Sequence, residues 1–190
     1  WTPEAYTFRF ERVVTAVKGN RITIDAPVVN AMEDKWGGGH VYRYTEEGRI
    51  SQVAVEHLRL VSEYKKKNDE AHAWTGVSVR NAVNAWVRNV TAVHFGWGGV
   101  TPSRGAMFVT VQDCSYLKPV SICTGGRRYP YQVDGQFCLV QRCYSEGGRH
   151  CNVAGARSCG PNVYLDCHNK DGDSGPHHRW AMGALYDNVK

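Results

Sequence analysis

A short strand pattern returns along this 190-residue chain at almost regular intervals, and that return limits what it can fold into more than any other feature. It reads Trp86-Val87-Arg88-Asn89-Val90-Thr91, then Val109-Thr110-Val111-Gln112-Asp113-Cys114 and Leu139-Val140-Gln141-Arg142-Cys143-Tyr144. It returns as Val163-Tyr164-Leu165-Asp166-Cys167-His168 and Ala184-Leu185-Tyr186-Asp187-Asn188-Val189. Each copy runs from β-branched or apolar residues through a polar one to a small apolar one. Aligned, Val90, Cys114, Cys143, Cys167 and Val189 form one column with steps of 24, 29, 24 and 22 residues. An earlier stretch, Val53 to Val61, puts Leu58 in the same column, 32 residues before Val90. Self-similarity at this period is the mark of a chain built from stacked coils, each burying its apolar face on the next.

An antiparallel sandwich also shows many short strands, but it has no reason to repeat one residue type in register at every turn of the chain. The column therefore points to an all-β fold, a right-handed parallel β-helix whose coils are about 22–32 residues long. Residues 1–40 read as a strand-rich segment leading into this solenoid, and 41–190 as its coils, part of a longer chain that begins before Trp1. Within the first segment, Tyr6 to Val14 alternates, and Val17 to Ile24 reads as two strands about Gly19-Asn20, a hairpin signal. The surplus in the 58-to-90 step falls at Glu63 to Trp74, read as a lysine-rich excursion with a short helix. After residue 75 each column strand is followed by a second short strand, read at Val93-His94-Phe95, Val120-Ser121-Ile122 and Cys151-Asn152-Val153.

Charge and cysteines exclude several functions. The net charge of +5 is mild, and the only basic run is Lys65-Lys66-Lys67, so no basic stripe for nucleic acid is present. No apolar run approaches the ~20 residues that cross a bilayer. The seven cysteines include no Cys-x-x-Cys or Cys/His pair at zinc spacing, so no metal ligands are assigned. Cys114, Cys143 and Cys167 read as an internal ladder of small apolar groups. Cys123 and Cys151, nine and eight residues beyond their column members, are candidates for a disulfide between neighbouring coils.

The Val-Glu-His-Leu-Arg-Leu stretch at 55–60, the stacked Val-x-Asp-Cys strands, and Gly175-Pro176-His177-His178-Arg179-Trp180-Ala181 ahead of the last copy resemble secreted bacterial right-handed β-helix proteins of the pectate-lyase-like superfamily. The resemblance covers most of the chain. It implies a secreted, periplasmic or extracellular protein acting on carbohydrate, but the superfamily holds lyases, hydrolases, epimerases and non-catalytic coils, so fold alone does not choose. No pectate-lyase catalytic motif matches residue by residue.

Loops at one phase of a solenoid form a wall, and the wall formed by 124–135 and 169–178 carries the candidate chemistry. β-Elimination on a uronate polymer needs a base for the proton beside the carboxylate, a cation to hold that carboxylate, and an acid for the leaving oxygen. His178, Arg128, His150 and His177 are the candidate catalytic residues. Arg127, Tyr129, Tyr131, Arg149, Arg179 and Trp180 are candidates for binding substrate, because guanidinium matches carboxylate and flat rings cover sugar faces. A Ca2+ ion held by Asp and Glu oxygens could replace the guanidinium. The leading expectation is a lyase on an acidic polysaccharide. A glycoside hydrolase on the same scaffold would use Asp134 with Asp171 or Asp173 as its two carboxyl groups. A third reading is a non-catalytic structural or adhesive rod that associates end to end through open strand edges.

Overall fold

A computed structural model describes residues 7–155, 157–177 and 180–190. Apart from one 3-10 turn at Asp34–Trp36 these residues are all-β, and their pairing is almost wholly parallel. Among them no helix is long and apolar enough to cross a membrane. The chain opens with β1 (Val14–Lys18) and β2 (Arg21–Ile24), an antiparallel hairpin about Gly19-Asn20. Residues 7–13, read as strand in the sequence, are irregular and instead serve as a strap. Glu11 N and the Arg12 guanidinium both donate to Gln136 Oε1, at 3.2 and 3.1 Å, which ties this segment to a loop 125 residues further on.

The strands that follow are β3 (Ile50–Ser51), β4 (Ala54–Val61), β5 (Thr75–Val79), β6 (Ala82–Val93), β7 (Gly98–Pro102), β8 (Met107–Gln112) and β9 (Ser115–Leu117). Then come β10 (Tyr131–Val133), β11 (Leu139–Gln141), β12 (Tyr144–Glu146), β13 (His150–Ala154), β14 (Cys159–Leu165), β15 (His168–Lys170), β16 (Asp173–Pro176) and β17 (Met182–Asp187). A ten-stranded sheet takes β3 and β4 on one side of β6 and β8 and β9 on the other, then continues through β11 to β14 and β17 and through β12 to β15. A second sheet stacks β10, β13 and β16 in parallel, and a third pairs β5 with β7. Gly99 and Val100 donate backbone N–H to Pro130 O, so β7 leads into the β10 stack.

The register explains the repeat. Leu58 pairs with Val90, and Arg88, Gln112, Gln141, Leu165 and Asp187 lie opposite one another on successive strands. Two residues on, Val90, Cys114, Cys143, Cys167 and Val189 therefore stand side by side. Each thiol donates to a carbonyl of the preceding strand: Cys114 to Val87 O at 3.6 Å, Cys143 to Val111 O and Cys167 to Val140 O at 3.7 Å. The residue before each column member turns the chain from one run of strands into the next. His57, Asn89, Asp113, Arg142, Asp166 and Asn188 all have φ between 49° and 54°. Asn and Asp tolerate this left-handed region better than other residues with a Cβ. These corner side chains also bond to each other. Arg142 grips Asp113 at 2.8 and 3.2 Å, and Asn188 donates to Asp166 at 2.6 Å. Asp187 lies in β17 opposite Leu165, because the corner falls at Asn188.

Inside, Val87, Val90, Ala92, Val111, Tyr116, Tyr131, Val140 and Tyr164 form the continuous core. Burial of each of the larger of these side chains stabilises the fold by about 1.5–3 kcal/mol. Three expectations differ from the observed fold. Of the second strands expected, Cys151–Val153 lies in β13 but Val120–Ile122 is not strand; the strands that follow the column start directly after it, at Ser115, Tyr144 and His168, because a single left-handed residue suffices for the corner. The 63–74 excursion holds no helix. There the Asp69 carboxylate accepts from Lys65 N at 2.8 Å and Ala71 N at 3.0 Å, a local pairing that competes with helical hydrogen bonds. All seven cysteines are free thiols: Cys123 is exposed, while Cys151 is buried and donates to Asp171 O, so the candidate disulfide is not formed.

Candidate functional site

The turns that enter β10, β13 and β16 lie over one another and bring four titratable side chains together. Tyr129 comes from the turn before β10, His150 opens β13, Asp173 opens β16, and His177 follows it. His150 and Asp173 are register partners on neighbouring strands, and His150 Nδ1 meets Asp173 Oδ1 at 2.5 Å. The His150 and His177 rings lie 4.2 Å apart, and Tyr129 lies 5.3 Å from the first and 5.5 Å from the second. The Tyr129 hydroxyl is 3.2 Å from His177 Nε2. His150, Asp173, Ser174, Gly175, Pro176 and His177 line a shallow pocket of about 100 Å³.

Polarity decides how the His150 imidazole is held. Its Nδ1 faces a carboxylate, which accepts and never donates when ionised. The contact therefore uses an Nδ1 proton and orients the ring with Nε2 directed away from the carboxylate. Nε2 is buried and has no hydrogen-bond partner among the described residues. An unpaired buried polar atom is costly unless something later pairs with it.

A polar network beneath the pocket sets its shape. Asn169 Oδ1 accepts from Ser145 Oγ at 2.9 Å and from Asn152 Nδ2 at 3.0 Å, while Asn169 Nδ2 donates to Ser174 Oγ at 2.8 Å. Asn152 and Ser145 are fully buried, and these bonds fix the strand that carries Asp173 and Ser174 relative to the one that carries His150. Gly172, at φ +89°, allows the tight approach: a Cβ there would lie 2.5 Å from Gly148 O. Sequence reasoning missed Asn152, Asn169, Ser145 and Ser174. The available signal was polar residues at inward positions of otherwise apolar strands.

The remaining candidates are dispersed. Arg127 makes a two-point ion pair with Glu70, at 2.9 and 2.7 Å, and its guanidinium lies over Trp74. Arg128 turns into the fold, where its guanidinium donates to Ser121 O, to Ser121 Oγ and to Gly147 O. Both charges expected to meet a substrate carboxylate are thus already hydrogen-bonded within the fold, and Arg128 is a brace. Its carbonyl accepts from Arg149 N at 2.8 Å, which seats the turn carrying His150. Tyr131 is 0% exposed and its hydroxyl donates to Tyr144 O at 2.8 Å, so it is core and cannot cover a sugar face. Arg149 is half-buried and has no ion-pair partner among the described residues. Trp180 is exposed and packs edge-on against Phe8. His178 and Arg179 lie outside the described residues.

The carboxyl pair required by a hydrolase is not brought together. Val133 pairs with Ala154, so Asp134 is level with Gly155, five residues past His150, or about 16 Å by strand rise. Asp173 is level with His150 itself. Asp134 is partly enclosed, which raises its pKa, and accepts from Gln132 Nε2. Asp171 lies at a corner with φ 70° and is exposed. Among the described residues no group of three His, Cys, Asp or Glu side chains is arranged to hold a metal ion. Compared with protein-family models, curated protein sequences and solved structures, the chain has no match.

Proposed function

We propose that this chain is a right-handed parallel β-helix acting as a polysaccharide lyase on a uronate-containing glycan. The handedness follows from the strong preference of parallel strand connections for right-handed crossovers. The observation that carries the chemistry is the Asp173-anchored His150 beside the Tyr129–His177 pair. Substrate entering the pocket shifts the His177 ring, 4.2 Å from that of His150, and uncovers Nε2, which takes the proton from the sugar carbon next to the carboxylate. The electron pair left behind forms a double bond to the neighbouring ring carbon, whose bond to the glycosidic oxygen breaks. The Tyr129 hydroxyl protonates that oxygen, and His177 resupplies the phenol proton. Arg149, adjacent to His150 and without an ion-pair partner among the described residues, is the cation for the substrate carboxylate. The negative substrate suits a chain with net charge +5.

The test uses a panel of uronate and neutral glycans, following ultraviolet absorbance of the unsaturated product and reducing ends in parallel. Growth of absorbance on a uronate polymer, reduced about 100-fold or more in His150→Ala with melting unchanged, supports the reading. Reducing ends without absorbance would replace it with hydrolysis. Silence across the panel, with filaments by microscopy, would replace it with a structural rod.

A further inference from the structure

A second site lies on the outer face of the ten-stranded sheet, away from the turns that hold His150. A groove of about 410 Å³ there is lined by Asn84, Trp86, Arg88, Phe108, Thr110 and Gln112. Trp86 is 40% exposed and Phe108 44%, so two large rings lie open to water on neighbouring strands. Both are fixed. The Trp86 indole donates to Glu56 Oε1 at 2.7 Å, and Phe108 stacks on Phe137 with centroids 4.7 Å apart. Past the polar Thr110 the row is apolar again, because Trp86, Thr110, Leu139, Val163 and Leu185 are register partners on successive strands. Leu185, at the far end, is 57% exposed.

We infer that this face binds a neutral glycan chain laid along the stack axis, across the strands. Size, charge and hydrogen bonding each favour that occupant. The row from Trp86 to Leu185 crosses four strand spacings, about 19 Å, and is about 13 Å wide, so it offers roughly 250 Å². A second copy of the chain would need about 800 Å² on each partner. An extended peptide would lie on a sheet face that presents no backbone donors or acceptors, and would leave its own amides unpaired. A sugar ring instead sets its C–H face on an aromatic ring and sends its hydroxyls sideways, where Asn84, Thr110 and Gln112 stand. The charges at the rim cancel: Arg88 pairs with Glu56 at 2.9 Å. Arg88 therefore offers a polyanion no free charge, and Arg12, whose guanidinium lies over Phe137, is already engaged by the carbonyls of Ala26, Pro27 and Gly160 and by Gln136. The site is independent of the elimination chemistry: its occupant is a neutral polymer, distinct from the uronate chain that the His150 site would cleave.

Native affinity electrophoresis in gels containing hydroxyethyl cellulose, glucomannan or polygalacturonate tests it, with sedimentation in parallel. The expected result is retardation by a neutral polymer that weakens about tenfold or more in Trp86→Ala and, separately, in Phe108→Ala, and that persists in His150→Ala. Persistence in His150→Ala separates this site from the catalytic one. Two results overturn the inference: no retardation by either neutral polymer, or retardation unchanged in both ring variants. A third is a wild-type dimer that becomes monomeric in Trp86→Ala, which would assign the face to a second copy.

Discussion

Three buried tyrosines allow one substitution to be tried in three settings, and the expected signs differ. Tyr116, Tyr131 and Tyr164 are each 0% exposed. The Tyr116 hydroxyl donates to Phe95 O at 2.8 Å and that of Tyr131 to Tyr144 O at 2.8 Å. The Tyr164 hydroxyl is buried with no hydrogen-bond partner among the described residues, while its ring stacks on Tyr186 at 4.8 Å. Burial pushes the Tyr131 and Tyr164 phenols well above their usual pKa, so both are neutral donors near pH 7. Tyr→Phe keeps the ring and its area and removes only the oxygen. At 116 and 131 the loss is one hydrogen bond, about 0.5–1.5 kcal/mol, plus whatever the abandoned carbonyl costs. At 164 the removed group is one whose desolvation nothing offsets, a penalty of about 1–3 kcal/mol in mutational data. A gap the size of one oxygen takes back part of that gain. Tyr164→Phe is therefore expected to be neutral to about 1.5 kcal/mol more stable, while Tyr116→Phe and Tyr131→Phe are about 1 kcal/mol less stable. Urea unfolding of the four proteins, compared at equal m-value, measures the difference. On heating, a domain of this size should separate the two classes by several degrees. A Tyr164→Phe protein destabilised as much as Tyr131→Phe would refute the reasoning, because it would mean that the 164 hydroxyl has a partner in solution.

Two other perturbations probe different parts of the fold. A thiol reagent should modify one cysteine, Cys123, in the native protein and all seven after denaturation, since the other six are buried; rapid native labelling of the column thiols, by mass spectrometry of digests, would contradict the packing. Backbone donors from Lys65 and Ala71 hold the Asp69 carboxyl below its usual value of 3.8. Its contribution is whole above the unfolded-state pKa and is lost as pH falls through the lower folded value. Asp69→Asn should therefore be less stable than wild type at pH 7, with the difference closing below about pH 4; parallel acid titrations of melting temperature check it.

Much of the strand architecture was legible because one position repeats a constraint that only a few residues satisfy. The column must be small and apolar, and the position before it must accept positive φ, so Asn89, Asp113, Asp166 and Asn188 recur there. Arg142 and His57 break that pattern in sequence but take the same φ, because their neighbours on either strand impose it. Helix in the 63–74 loop was a false inference from length and lysines. A single carboxylate, Asp69, organises that loop by bonds to backbone N–H that composition does not reveal. The strap at Glu11 and Arg12 was equally hidden, since its partner Gln136 lies more than a hundred residues away and carries no pattern of its own.

The site was only half legible, for a reason that concerns guanidinium groups. Sequence counts charges in a loop but not their partners. Arg127 and Arg128 stand beside each other and looked like a carboxylate cradle, yet Glu70 holds one and the carbonyls of Ser121 and Gly147 hold the other. What distinguished His150 was not its own neighbours in sequence but the strand register: 23 residues separate it from Asp173, yet the two open adjacent parallel strands and pair. Residues that share a register on neighbouring parallel strands become contacts in this way. The same register puts Tyr129 level with His150, since Tyr131 pairs with Asn152, which makes the Tyr129–His150–Asp173 alignment a consequence of strand pairing rather than of a local motif. An insertion of one residue inside β16, between Asp173 and Ser174, would turn the Asp173 side chain to the opposite face of its strand and separate the carboxylate from His150 while leaving the column at Cys114 and Cys143 intact.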